Sequence, residues 1–375
     1  MKSHSAEYVS LGHPDRLADA IVESIVDLAV GRDGKALVGV ECAVHTDHVF
    51  IDGRIAAGKG KCAVSNEEIE EMARQVYREA GYGGIWIHAP EKLKVIQNVC
   101  LEPLSDDERA IRSSLSDDQN VVTGFACNHP ETDDLPPAHF IANYIGRKVD
   151  GWRRTVSDKF GPDFKVLVHI EDNGGRYEWR RLTLSIQHRE GVFAAEQHEL
   201  VLPVVSGALA ELEVRGLAGI SNLPLENFIL NGMGDFIVGG PEGDNGLSGK
   251  KLAIDFYGPE IPIGGGAICG KDPHKVDVAG AFRARELARR LLKERGGSAV
   301  TVRLGWTPGD AAPAFREAES VDSLGLTHPI PASALPMEDW FRIETIVSEM
   351  RLATLVRRER VLTGYFLDSM AHDGE

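Results

Sequence analysis

Several things are missing from this 375-residue chain, and each absence narrows what it can be. No apolar run reaches the roughly 18 to 20 residues needed to cross a bilayer as a helix. The opening Met1-Lys2-Ser3-His4-Ser5 has no apolar stretch of the secretory kind, so a cytoplasmic location is expected. The five cysteines, Cys42, Cys62, Cys100, Cys127 and Cys269, include no CxxC pair and no zinc spacing, which excludes a zinc module and suits reduced thiols. Basic residues are in deficit, with 41 Lys and Arg against 57 Asp and Glu and a formal charge of −16. That balance argues against a nucleic-acid-binding surface. An acidic protein that binds a polyphosphate must gather its cations locally, so lysines inside loops carry information. No short repeat is visible.

The patterns that are present describe alternating strands and helices. Leu17, Ile21, Ile25 and Leu28 recur at helical spacing behind Pro14, predicting a helix over 14–30. Strands are expected at 36–46 and 48–55, then a helix from the capping box Ser65-Asn66-Glu67-Glu68 to about Ala80. Further strands are expected near 85–88, 94–101, 120–127, 165–170, 177–187 and 299–304. Helices are expected over 138–156, 196–214 with a kink or break at Pro203, 275–295 and 337–358. The polar stretch 102–118 reads as a connector or a loop over a site. About three hairpin-plus-helix groups result, which favours an α+β fold over a doubly wound parallel sheet.

Four segments could carry chemistry. Gly12-His13-Pro14-Asp15 opens the first helix, whose free N–H groups suit phosphate, with His13 as a donor and Asp15 as a ligand for a hard cation; the same residues also serve as a plain cap. Gly239 to Lys251 holds five glycines, the carboxylate of Asp244 and the paired cations Lys250 and Lys251. Gly264 to Asp277 sets Lys271 and Lys275 around a turn and Asp277 at a helix start, without the spacing or the Ser/Thr of a P-loop. Asp163-Phe164-Lys165 alone reads as a surface ion pair.

The order and conjunction of these segments resemble the S-adenosylmethionine synthetase family. Gly12 to Asp19, GHPDRLAD, resembles the family's GHPDK-hydrophobic-AD opening. Residues 239–251 resemble its GGPxGDxGLTGRK element, and residues 264–277 its GGGAFSGKDPxKVD element. Shorter matches are Asp118-Gln119 through Gly124 to Asn128, Ser185 to His188 and Asp255 to Gly258; the likeness spans roughly 7–305. It implies three similar sheet-plus-helix domains in a pseudo-threefold arrangement, here 1–130, 131–235 and 236–375 with segments free to interleave. It also implies adenosyl transfer from ATP to methionine sulfur, releasing the triphosphate for hydrolysis. Carried over residue by residue, His13, Lys165 and Lys271 would act at the triphosphate, and Lys250, Lys251 and Lys275 would hold phosphate. Asp15 and Asp277 would hold two magnesium ions, and Glu41 a monovalent cation. Phe236 would pack on adenine, and Asp118 and Asp163 would lie around the nucleotide. Asp244 would take the methionine ammonium, and Lys275 could face the methionine carboxylate. A homodimer, or a tetramer, with the site between subunits is implied.

The chain departs from the pattern in places. Arg54 stands where the family has a glutamate for the methionine ammonium, Asp235 replaces an arginine, and Lys250 replaces another arginine. Cys269 replaces a serine near the potassium site, which weakens the expectation of potassium. The triphosphate groups are mostly kept and the methionine and adenine groups are altered. Transfer to a different thioether or from a different nucleotide, and an inactive nucleotide-binding paralogue, are the competing readings.

Overall fold

The computed structural model describes residues 2–111 and 114–367. Along the chain come β1 (Lys2–Val9), α1 (Pro14–Arg32), β2 (Leu37–His45), β3 (His48–Ala56), α2 (Asn66–Ala80), β4 (Lys94–Glu102), α3 (Asp106–Ile111) and β5 (Asn120–Cys127). Next are α4 (Pro137–Thr155), β6 (Phe160–Asp172), β7 (Tyr177–His188), α5 (Ala194–Arg215), β8 (Phe228–Leu230), β9 (Gly246–Leu247) and α6 (Leu252–Asp255). The rest is α7 (Val276–Arg295), β10 (Ala299–Trp306), β11 (Phe315–Val321), β12 (Thr327–Ile330), α8 (Ile343–Glu349) and α9 (Arg357–Thr363).

The strands form three four-stranded sheets, in the orders β1-β6-β7-β8, β9-β2-β3-β4 and β5-β10-β11-β12. Each is built on an antiparallel hairpin, β6–β7, β2–β3 or β10–β11, flanked by one strand from elsewhere in the chain. In two sheets a helix crosses over after the hairpin and the fourth strand lies parallel, β4 on β3 after α2 and β8 on β7 after α5. In the third, β12 follows β11 directly and pairs antiparallel. Helices cover the sheets: α1 packs on β2, α4 on β1 and β6, and α7 on β5 and β10. The architecture is therefore α+β with one plan used three times. Among the described residues, no helix is long and apolar enough to cross a membrane.

Local chemistry explains the better-marked elements. Ser65 and Glu68 form the reciprocal capping box, and Gly81 at φ 101° ends α2. Several expectations require correction. No strand forms at 85–88, and α5 passes through Pro203 as one element. The expected helix over 337–358 is instead a series of short turns plus α8 and α9, interrupted by Arg351 at φ 52°. Phe341, Ile343, Ile346 and Leu352 are all buried there, so the segment buries itself piecewise rather than along one stripe. Strands β11 and β12 were not expected, because β11 reads Phe-Arg-Glu-Ala-Glu-Ser-Val and only Ala318 is buried in it.

Candidate functional site: two helix starts rich in lysine

The first helix start is held in place by backbone stitching. Ser10 Oγ donates to Pro162 O at 2.8 Å and accepts from Phe164 N at 2.9 Å, which fixes the β1–α1 turn to β6. A Cβ on Gly12 would fall 2.4 Å from the Pro162 carbonyl, so only glycine allows this approach. His13, 1% exposed, is the N-cap of α1, and its Nδ1 accepts the Asp15 N–H at 3.2 Å. Burial, followed by the charges of Lys165 and Lys251, lowers its pKa to about 3 against the pull of Asp15 and Asp244. The ring is thus neutral at physiological pH, and with Nδ1 accepting, its proton lies on Nε2.

Asp15, equally buried, accepts from Leu247 N at 3.0 Å. The ammonium groups of Lys251 and Lys250 stand 2.9 Å and 3.5 Å from its carboxylate. Burial raises its pKa, but Lys251 and the Leu247 N–H outweigh that and leave it below the ordinary value. The glycine segment lies directly on this helix start, since a Cβ on Gly246 would come within 2.2 Å of Pro14. On neighbouring β6, Asp163 Oδ2 accepts the Gly240 N–H at 2.8 Å while Oδ1 is buried without a partner. Lys165, two residues on and exposed, acts on both His13 and Asp163 through its charge. Phe236 is half-buried and pinned by two hydrogen bonds to His188, with its ring against Gly239. Asp244 is exposed.

Burial raises the Asp163 pKa to about 6, against the pull of the Gly240 N–H and Lys165. A carboxyl held above its unfolded value loses stabilisation as pH rises from about 4 through 6, a loss worth up to about 3 kcal/mol. Asp163→Asn keeps an acceptor for Gly240 and removes the ionisation. It should leave stability at pH 4 unchanged and raise it by about 1–3 kcal/mol at pH 7.5. Urea unfolding at both pH values checks this, and a gain equal at both would refute it.

The second helix start is at α7. Lys271 Nζ donates to Asp277 Oδ1 at 2.6 Å, and Lys275 Nζ to Asp117 Oδ2 at 2.7 Å. A Cβ on Gly266 would sit 2.0 Å from Asp277 Oδ1, so the glycine run wraps this carboxylate. The buried amide nitrogen of Asn120, beside Gly266, has no partner. A cleft of about 550 Å³ runs past Glu41, Asp52, Gly249, Gly266, Lys271 and Lys275. The neighbour of Asp118, not Asp118 itself, meets Lys275; Asp118 is exposed and accepts the Gln119 N–H. Arg54 pairs with Gly39 in the β2–β3 register, and Gly39 in turn bridges Lys271; its guanidinium donates to Glu102 at 3.0 and 2.8 Å and to Glu108 of α3 at 2.8 Å.

Among the described residues, no three His, Cys, Asp or Glu side chains gather into a metal-holding group. One carboxylate at each helix start, Asp15 and Asp277, matches magnesium that takes its other ligands from phosphate and water. A potassium site fits less well, because the buried thiol of Cys269 faces Asp19 Oδ1 at 3.3 Å.

Sequence reading overlooked the ion pairs beneath these loops. Asp15, Asp19, Glu23 and Asp27 recur every four residues along α1, and the first three are buried. Asp19 accepts the Gly249 N–H at 2.8 Å and lies 3.2 Å from Arg16, while Glu23 meets Arg357 at 2.8 Å. The four-residue acidic spacing was the available signal.

Comparisons with known proteins identify the family and the fold. The family models for the S-adenosylmethionine synthetase N-terminal domain and C-terminal domain match residues 2–100 and 238–372. An S-adenosylmethionine synthase of Hyphomonas neptunium is 32% identical, over 84% of this chain and 79% of that protein. One from Maricaulis maris is 32% identical, over 82% of this chain and 78% of that protein. The solved structure of an S-adenosylmethionine synthetase from Campylobacter jejuni, described as unusual, aligns with a TM-score of 0.79. It shares 23% identity and covers 97% of this chain and 94% of that one, a likeness of fold.

Proposed function

Because this chain belongs to the S-adenosylmethionine synthetase family of transferases, we propose that it joins methionine sulfur to C5′ of ATP, giving S-adenosylmethionine, phosphate and diphosphate. The observation that carries this reading is the α1 start, where a neutral, buried His13 stands beside an ionised Asp15 flanked by two lysines. A thioether carries no proton, so its attack needs no general base. The S–C5′ bond forms as the C5′–O bond breaks, and the electron pair leaves on the triphosphate, which one water then hydrolyses to phosphate and diphosphate. Donors and cations placed where that charge grows supply the catalysis. His13 Nε2–H would donate to a phosphate oxygen near the breaking bond, and Lys165, Lys250, Lys251 and Lys271 would hold the rest. Magnesium, held by Asp15 and Asp277, would neutralise phosphate charge. Phe236 would stack on adenine, with Asp118 and Asp163 around the nucleotide. Asp244 and Lys275 would hold the ends of methionine.

Arg54 favours methionine over a more acidic thioether. Its guanidinium is taken by Glu102 and Glu108, so the trio carries one net negative charge and does not repel an ammonium. A homodimer, or a tetramer of dimers, fits the outer face of the β9-β2-β3-β4 sheet. Leu247, Ala43, Phe50 and Ile96 form one row in register across its four strands. Phe50, Ile96 and Leu247 are 40–50% exposed, an apolar row beside Glu41 that a second copy would cover.

The test is incubation of the purified protein with ATP, magnesium and potassium, with and without methionine, followed by mass spectrometry. S-adenosylmethionine formed at turnover is the expected result. Triphosphate cleavage without that product, or product with another thioether only, would move the assignment to a different acceptor. Nucleotide binding with no turnover would make the chain a non-catalytic relative.

A further inference from the structure

The C-terminal segment reaches back beneath the second glycine loop. The Arg357 side chain, at the start of α9, is 2% exposed. Its Nη2 donates to Glu23 Oε1 at 2.8 Å and to Ile268 O at 2.7 Å, and its Nη1 donates to Lys271 O. Tyr365 Oη donates to the same Glu23 oxygen at 2.5 Å. Asp27, one turn further along α1, accepts the backbone N–H groups of Arg357 and Arg358 at 3.0 and 2.9 Å and so fixes the start of α9.

The loop is held from the other side by β2. Val40 N donates to Gly270 O at 2.9 Å, Asp272 N to Val38 O at 3.0 Å, and Val38 N to Asp272 Oδ2 at 2.9 Å. Residues 268–272 are thus clamped between a strand edge and one guanidinium. That guanidinium takes the carbonyl of Lys271 itself, the residue whose ammonium meets Asp277. The planar fork reaches two carbonyls and a carboxylate from two nitrogens held at a fixed spacing, whereas an ammonium offers its donors from a single point.

We propose that Arg357, locked by Glu23 and Tyr365, is a positioning residue that sets the main chain of the Lys271 loop and so aims the Lys271–Asp277 pair at the triphosphate. The proposal rests on the adenosyl-transfer reading for its kinetic part only; the clamp can be measured without turnover.

Removing one buried partner would strand the other, so both go together: Glu23→Gln with Arg357→Met, a neutral pair of similar volume. Both side chains are buried beneath the loop, and neither is among the groups assigned to substrate. Hydrogen exchange of 268–275 should speed up at least tenfold in the double variant, with the melting temperature little changed. kcat should fall at least tenfold, with the methionine KM within twofold of wild type. Arg357→Lys, which keeps the charge beside Glu23 but not the fork, should lie between the two; if the double variant does not fold, this variant decides. Unchanged loop exchange overturns the clamp, whatever the activity. Faster exchange with kcat within twofold overturns the positioning role. Faster exchange in a protein whose wild type makes no S-adenosylmethionine supports the clamp and overturns the activity reading instead.

Discussion

His13→Ala is expected to lower the rate of adenosyl transfer by about 10²–10³-fold, the usual loss when one donor to a developing oxyanion is removed. Two roles of the residue must be separated. Its Nδ1 caps α1 by accepting the Asp15 N–H, and losing a cap costs about 0.5–2 kcal/mol of stability. Its Nε2–H is the donor offered to phosphate. His13→Asn supplies a capping oxygen without placing an imidazole N–H, so it should recover the stability and not the rate. Thermal melts and single-turnover rates for the pair distinguish these roles. Asparagine restoring the rate, or alanine leaving it intact, would remove His13 from the chemistry. The pH dependence gives a second check. With its pKa lowered to about 3, chiefly by burial, His13 stays neutral from pH 5 upward, so its protonation should not reduce the rate near pH 6. A break in the rate near pH 6 that belongs to Asp163 should vanish in Asp163→Asn, and one nearer 7 falls to the buried carboxyls of Asp19 and Glu23, which burial raises to about 7.

The legible parts of this protein were those written in local chemistry. Pro14 and the spacing of Leu17, Ile21 and Ile25 marked α1, and Ser65 with Glu68 marked α2. The α3 start was equally legible and was missed: Ser105 and Glu108 form the same reciprocal cap within a stretch that looked merely polar. The glycines of 239–251 and 264–277 pointed to close backbone approach, and Gly246 on Pro14 and Gly266 on Asp277 show which groups they approach. The long-range pairings were not legible. That β1 joins β6 and that β9 edges the β2–β3 hairpin depends on contacts across more than 150 residues, which no periodicity encodes. The Arg357 clamp lies in the same class, because one arginine of the charged run Arg357-Arg358-Glu359-Arg360 looks like surface until its burial is known.

Glu102→Gln with Glu108→Gln is expected to raise the methionine KM by about ten- to hundredfold, equivalent to about 1.4–2.7 kcal/mol, and to leave the ATP KM within twofold. Sequence alone makes Arg54 the obstacle to methionine, and Arg54→Glu the remedy. The side-chain arrangement reverses that expectation. Arg54 is shared between Glu102 and Glu108, so its charge is already more than cancelled. Removing both carboxylates changes the trio from −1 to +1 and frees the guanidinium to oppose an ammonium. Two unit charges 4 Å apart interact by about 4 kcal/mol at a surface-like dielectric, and the exposure of Arg54 and Glu102 reduces that to the smaller range above. Arg54→Glu should not improve methionine use, because it places three carboxylates together and releases α3 from β3. Its methionine KM should rise and hydrogen exchange of 105–111 should quicken. A lower methionine KM in Arg54→Glu, or an unchanged one in the double glutamine variant, would show that Arg54 and its two partners lie outside the acceptor pocket.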